Sequence, residues 1–251
     1  MTCSLLRSLA FAAMIFALPL STWAGSIGVN FNGSAGGSGT LAPGDTAGFI
    51  PQTNFNSLGG PNGGAVGAPL PLVDSTGAST TAGLVYTSGG VYSVQGGGAT
   101  VNQTGDEALN AGFIYGNAHV EVTDVPYAAY DVYVYMLNDA GGRPQTVILN
   151  GTSTFYGTTP NPADPGYVDN SALTPYLYQL ATSTTAGTFT NPANYVHFAG
   201  VTGSSFTLDV SAPGNGYLNG FQIVQVPEPS SVLMAALGLC GLAAISYCRK
   251  R

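Results

Sequence analysis

Between residues 25 and 226 apolar and polar positions alternate with a period of two in one short stretch after another, the pattern of strands with one buried face. Ser26-Ile27-Gly28-Val29-Asn30-Phe31 opens the series and His119-Val120-Glu121-Val122-Thr123 repeats it. The richest run is Tyr130-Asp131-Val132-Tyr133-Val134-Tyr135-Met136-Leu137. It puts Tyr130, Val132, Val134 and Met136 on one face and Asp131, Tyr133, Tyr135 and Leu137 on the other, so a central strand covered on both sides is expected. Gln145 to Leu149 and Thr152 to Tyr156 flank Asn150-Gly151, a pair that favours the type I′ turn because both residues need positive φ; a hairpin is predicted. Further strands are expected at Gly83 to Thr87, Gly90 to Val94, Gly112 to Tyr115, Leu177 to Ala181, Tyr195 to Ala199, Ser205 to Val210 and Tyr217 to Val226. No helix of length is expected before the tail.

Glycine is dense from Asn32 to Gly67, with turn signals at Pro43-Gly44-Asp45 and Pro61-Asn62-Gly63-Gly64. Phe49, Ile50, Phe55 and Leu58 would be wasted in a solvated linker, so this connection is expected to cover a sheet edge or one end of the core. Gly157 to Asn170 reads as a loop. Many short strands, Gly and Pro turns and no helices predict an all-β fold, a single jelly-roll-like β-sandwich with long Gly-rich loops. A β-helix is the alternative, but it requires a regular rung period and none is present.

Two stretches depart from the alternation. Residues 1–24 carry one base, Arg7, an apolar stretch from Leu9 to Leu20, and Thr22-Trp23-Ala24, which predicts a secretory signal peptide cut between Ala24 and Gly25. Residues 227–251 hold Pro227-Glu228-Pro229, an apolar run from Ser231 to Tyr247, and Arg249-Lys250-Arg251. That run makes about 25 Å of helix at roughly 1.5 Å per residue, enough for a thin bilayer. The three bases after it would stay cytoplasmic and leave residues 25–226 on the far side.

Pro-Glu-Pro, apolar helix and basic cluster, in that order, resemble the PEP-CTERM sorting signal of bacterial surface and matrix proteins. The resemblance covers only the tail. It implies an exosortase-type membrane protease as partner, a membrane-anchored stage at the inner membrane, and release to the cell surface or extracellular matrix. An ordinary C-terminal anchor is the alternative. The pairing of Tyr130 to Tyr135 with Leu218-Asn219-Gly220-Phe221-Gln222-Ile223 is also similar to galactose-binding-type jelly rolls, a likeness that carries no functional residue over.

Charge narrows the partners of residues 25–226. Arg143 is their only Lys or Arg, against eleven acids, a net charge of −10. Nucleic acid is thereby excluded, since phosphate neutralisation by Lys and Arg supplies most of that affinity. Neutral polysaccharide is the compatible polymer. Cys3, Cys240 and Cys248 all lie outside the domain, so it has neither disulfide nor thiol chemistry.

No catalytic residue is assigned, and the function class expected is structural or adhesive with glycan contact. A sugar patch is expected from Tyr133 and Tyr135, which share a strand face, with Asn138, Asp139 and Arg143 at its end. Packed core tyrosines and an Arg143–Asp139 ion pair are the plainer reading. Calcium is the metal expected, if any, with Asp45, Asp139, Asp164 and Asp169 as oxygen ligands in Gly-rich loops. His119 and His197 read as strand-face residues bonded to neighbours rather than as zinc ligands. The competing class is a secreted glycan-active hydrolase with an assembled carboxylate pair such as Glu121 and Asp131; Asp106-Glu107, expected on opposite faces of a strand, could not flank one glycosidic bond.

Overall fold

The computed structural model describes residues 25–33, 39–59, 64–65, 67–94, 105–164, 167, 176–212 and 216–226. The signal segment 1–24, the tail 227–251 with the apolar run expected to cross a membrane, and Asp169 lie outside the described residues. Among the described residues no helix is long and apolar enough to do so.

Two sheets carry the fold. The first orders β12 (Tyr195–Thr202), β9 (Ala129–Tyr135), β15 (Gly220–Gln225), β1 (Ser26–Asn32) and β2 (Asn56–Gly59) side by side. β1 is antiparallel to β15 and parallel to β2. The second orders β11 (Ser153–Thr158), β10 (Pro144–Leu149), β13 (Phe206–Ser211), β8 (Ala118–Thr123), β5 (Ser79–Ser88) and β3 (Gly64–Ala65), with β4 (Leu70–Val73) also paired to β5. A smaller third sheet joins β14 (Tyr217–Leu218), β7 (Gly112–Tyr115) and β6 (Gly90–Ser93).

One hydrophobic core lies between the two larger sheets. Val29, Val132 and Ile223 enter it from the first, and Leu84, Val120 and Leu208 from the second, all fully buried. Aromatic edges close the gap: Phe31 meets Tyr86 with ring centres 5.1 Å apart, Phe155 meets Phe198 at 5.2 Å, and Phe206 meets Phe221 at 6.1 Å. This is the two-layer sandwich that the alternation implies. The Asn150-Gly151 hairpin forms as expected, with φ of 52° and 67° at the two turn residues.

The central run behaves as its pattern dictates. Tyr130, Val132, Val134 and Met136 face the sandwich core, while Tyr133 and Tyr135 face outward into a second cluster with Leu41, Ala47, Phe55, Leu109 and Tyr195. The Gly-rich connection supplies that cover: it crosses the outer face of the first sheet and then runs along that sheet's edge as β2, as expected of it. Gly28 makes room for it, since a Cβ there would stand 2.6 Å from the Phe55 ring. The buried side chain of Gln222 ties it down through bonds of 2.8 Å from Nε2 to the Ile50 carbonyl and to Gln52 Oε1.

Four expectations need correction. Asp106 and Glu107 stand in the first turn of a short helix, α1 (Gly105–Ala111), not on a strand. Ala108, Leu109 and Ala111 are strong helix formers and are buried, and acids suit the positive end of a helix. Leu177 to Ala181 makes only one bridge, Leu180 to Tyr195, because the buried Asn194 side chain takes the Leu177 carbonyl and the Gln179 N–H, each at 2.7 Å. The last strand is broken at Asn219, and short strands β2 and β3 arise where only a loop was expected, with β4 following just beyond it.

Candidate functional site

The third sheet builds an aromatic pocket by the alternation of its own residues. Val91, Ile114 and Leu218 point to the sandwich core. Their neighbours Tyr92, Phe113, Tyr115 and Tyr217 therefore share the opposite face, where Tyr217 pairs with Tyr115 and Tyr92 with Phe113. Phe113 and Tyr217 are buried and meet edge to face at 5.2 Å, forming the floor, while Tyr92 and Tyr115 are half-buried and leave ring surface open. Gly90 lies under the Tyr115 ring, and a Cβ there would sit 2.7 Å from its hydroxyl.

The domain's single base closes one side. Arg143 Nη1 donates to the Tyr217 hydroxyl at 2.6 Å, its guanidinium carbon lies 5.7 Å from the centre of that ring, and Nη2 stands 3.6 Å from Asp139 Oδ1. With Arg143 and Asp139 partly exposed, that pair contributes at most about 1 kcal/mol to stability. Its use is geometric, because it sets five N–H donors and a carboxylate beside open aromatic faces. The six residues line a cavity of about 240 Å³, just below the roughly 300 to 1,000 Å³ of ordinary ligand pockets. Aromatic faces for the apolar side of a ring and a donor–acceptor pair for its hydroxyls suit a single uncharged sugar unit.

Of the expected patch, Asp139 and Arg143 are here, but Tyr133 and Tyr135 are not. Tyr133 stacks on His197 at 4.4 Å and on Phe49 at 5.5 Å, beneath the Gly-rich cover. Tyr135 is fully buried; its hydroxyl donates to Gln222 Oε1 and accepts the Phe49 N–H at 2.8 Å, and burial pushes its pKa well above 10. Asn138 is buried, with Oδ1 accepting the Ala140 N–H. Tyr92, Phe113, Tyr115 and Tyr217 take the tyrosines' place. Their alternation with core residues is visible in the sequence, but the pairing that gathers them from three distant segments is not.

Each described acid of the calcium set has another partner. Asp45 accepts the Ala42 N–H, Asp139 faces Arg143, and Asp164 accepts from the Asn161 amide. No group of three or more His, Cys, Asp or Glu residues stands together among the described residues. Both histidines bond strand-face carboxylates as expected, His119 to Asp209 at 2.6 Å on the second sheet and His197 to Asp131 at 3.0 Å on the first. Glu121 and Asp131 belong to the outer faces of opposite sheets and do not meet.

Among the described acids, Asp106 is the one whose carboxyl is held by burial above its ordinary pKa. It accepts the Gly48 N–H at 2.7 Å and the Tyr178 hydroxyl at 2.6 Å, and burial, only partly offset by those bonds, holds its pKa above 3.8. It latches the cover to α1.

Comparison with known families and structures adds three findings. Residues 225–251 match the PEP-CTERM protein-sorting motif. No characterised protein sequence matches the chain significantly. Among solved structures, an exo-β-1,3-galactanase from Phanerochaete chrysosporium, crystallised with galactose, shows 14% identity over 64% of this chain and 27% of its own, with a TM-score of 0.22. This chain thus spans about a quarter of that enzyme, and a likeness of that size carries no argument about fold or ligand. The sorting motif does carry weight: it marks an exported protein that an exosortase processes.

Proposed function

We propose that the protein is an exported surface or matrix component, released by an exosortase at its tail, whose β-sandwich holds an uncharged glycan in the pocket of Tyr92, Tyr115, Tyr217, Asp139 and Arg143. The observation that supports this reading is the placement of the only Lys or Arg of residues 25–226, hydrogen-bonded to Tyr217 at the wall of an aromatic cavity. A domain of net charge −10 selects neutral partners, and one guanidinium is then enough to orient a hydroxylated ring. The role is adhesive or structural, with the apolar run from Ser231 to Tyr247 anchoring the chain only until processing.

The test is titration of the full-length chain, in detergent, with neutral mono- and oligosaccharides. Arg143→Ala or Tyr92→Ala should weaken the best binder at least tenfold, about 1.4 kcal/mol, while the fold still melts in one cooperative step only a few degrees lower. Equal affinity of both variants and wild type would remove the pocket from the account. Repeating the titration with calcium and with chelator reads out any metal requirement.

A further inference from the structure

A larger feature lies on the side of the sandwich where its two sheets end. β11 is the last strand of the second sheet and β12 the last strand of the first, and a cleft of about 850 Å³ runs between them. It follows His197 to Thr202 on one wall, about 20 Å at roughly 3.3 Å per residue, and Ser153 to Tyr156 on the other. Phe155 and Phe198, in edge-to-face contact at 5.2 Å, supply apolar floor. Beside His197, which bonds Asp131, the remaining lining is uncharged and rich in hydroxyls, including Thr152, Ser153, Thr154, Thr184 and Thr202. No Asp, Glu, Lys or Arg lines it, in a domain with eleven acids.

Exposed sheet edges ordinarily invite another strand, but these are blunted. β12 shifts register between Phe198 and Val201, Gly200 has φ of +64°, and its N–H is taken by Asp131 Oδ1 at 2.8 Å. On β11 the N–H groups of Tyr156 and Thr158 already bond the carbonyls of Ser183 and Thr190. A continuous peptide ladder has no register here, whereas a polymer bound through hydroxyls and ring faces needs none.

We infer that the β11–β12 cleft is a second binding site, distinct from the aromatic pocket, that holds a stretch of uncharged polysaccharide chain. The pocket has room for one sugar unit and the cleft, more than three times larger, for several. A domain with both sites joins two glycan strands and acts as a cross-link in a matrix.

The test uses affinity electrophoresis of the full-length chain in detergent through gels containing dextran, laminarin or neutral galactan, with alginate as the acidic control. Ser153→Arg and Thr202→Arg place bulk and charge at exposed rim positions without touching the core. Retardation by at least one neutral polymer, weakened tenfold or more by each rim variant both in the wild-type chain and in an Arg143→Ala background, where the pocket no longer contributes, is the expected result. Amide hydrogen exchange should slow in residues 153–156 and 197–202 when that polymer is added. Absence of retardation by all three neutral polymers, retardation unaltered in the rim variants, or retardation lost only with Arg143→Ala would overturn the cleft. The last outcome would leave the pocket standing.

Discussion

The side chain of Asn219 accepts the backbone N–H of Leu137 just beyond the end of β9, and from the same buried position its amide donates to the carbonyls of Asn110 at 2.8 Å and Gly112 at 2.9 Å. One residue thus joins the central strand, the end of α1 and the start of β7, and splits the final strand in two. Replacing it by alanine leaves three buried backbone groups without partners, each worth about 1 to 3 kcal/mol. Asn219→Ala should destabilise the protein by at least about 3 kcal/mol, and Asn219→Asp, which keeps the acceptor but loses both donors, by a comparable amount at neutral pH. Urea unfolding followed by tyrosine fluorescence measures both.

Tyr217 is part of the pocket floor and the partner of Arg143. Tyr217→Phe keeps the ring and removes only the hydroxyl. It should reduce stability by no more than about 1 kcal/mol, yet free the guanidinium and weaken sugar binding severalfold. Calorimetric titration beside a thermal melt separates the two effects.

Burial raises the pKa of Asp106, so the folded state keeps its proton to higher pH than the unfolded chain does. The stability this group contributes is therefore present at and below its ordinary value of 3.8 and declines as pH rises through the folded value. Asp106→Asn can still accept from Gly48 and Tyr178 and cannot ionise. Its stability relative to wild type should increase between pH 4 and pH 7, measured as the difference in urea midpoints. A difference independent of pH would contradict this.

Gly48 has φ of +96°, and a Cβ there would stand 2.4 Å from Gln222 Oε1. Gly48→Ala combines a strained backbone with a clash at the group that ties down the cover, a cost of about 1 to 3 kcal/mol. The variant should be cut faster than wild type beside Phe49 in limited chymotrypsin digestion, while the sandwich core stays intact.

Substituting Pro227, Glu228 and Pro229 by alanine removes the defining element of the sorting motif. The variant should stay uncut in the inner-membrane fraction, as read by immunoblot of membrane and culture medium; normal release would separate the motif from processing.

The two-residue alternation by itself determined the longer strands and the two-layer build, because a strand must send successive side chains to opposite faces whatever it pairs with. Tyr130 to Leu137 is the clearest case, with both faces assigned correctly. Arg143 too was legible as a lone base among acids, and the sorting motif needs only linear order to be recognised. The sequence could not say what lies over each face. Phe49 and Phe55 were visible as apolar residues in need of cover, but only the folded chain decided that they bury Tyr133 and Tyr135 and so remove them from solvent. Pairing between distant segments likewise set Tyr92, Tyr115 and Tyr217 around Arg143, and left β11 and β12 as the two edges of a cleft. Local pattern is a property of neighbours along the chain, whereas a site is a property of neighbours in space, selected by which buried faces pack best together.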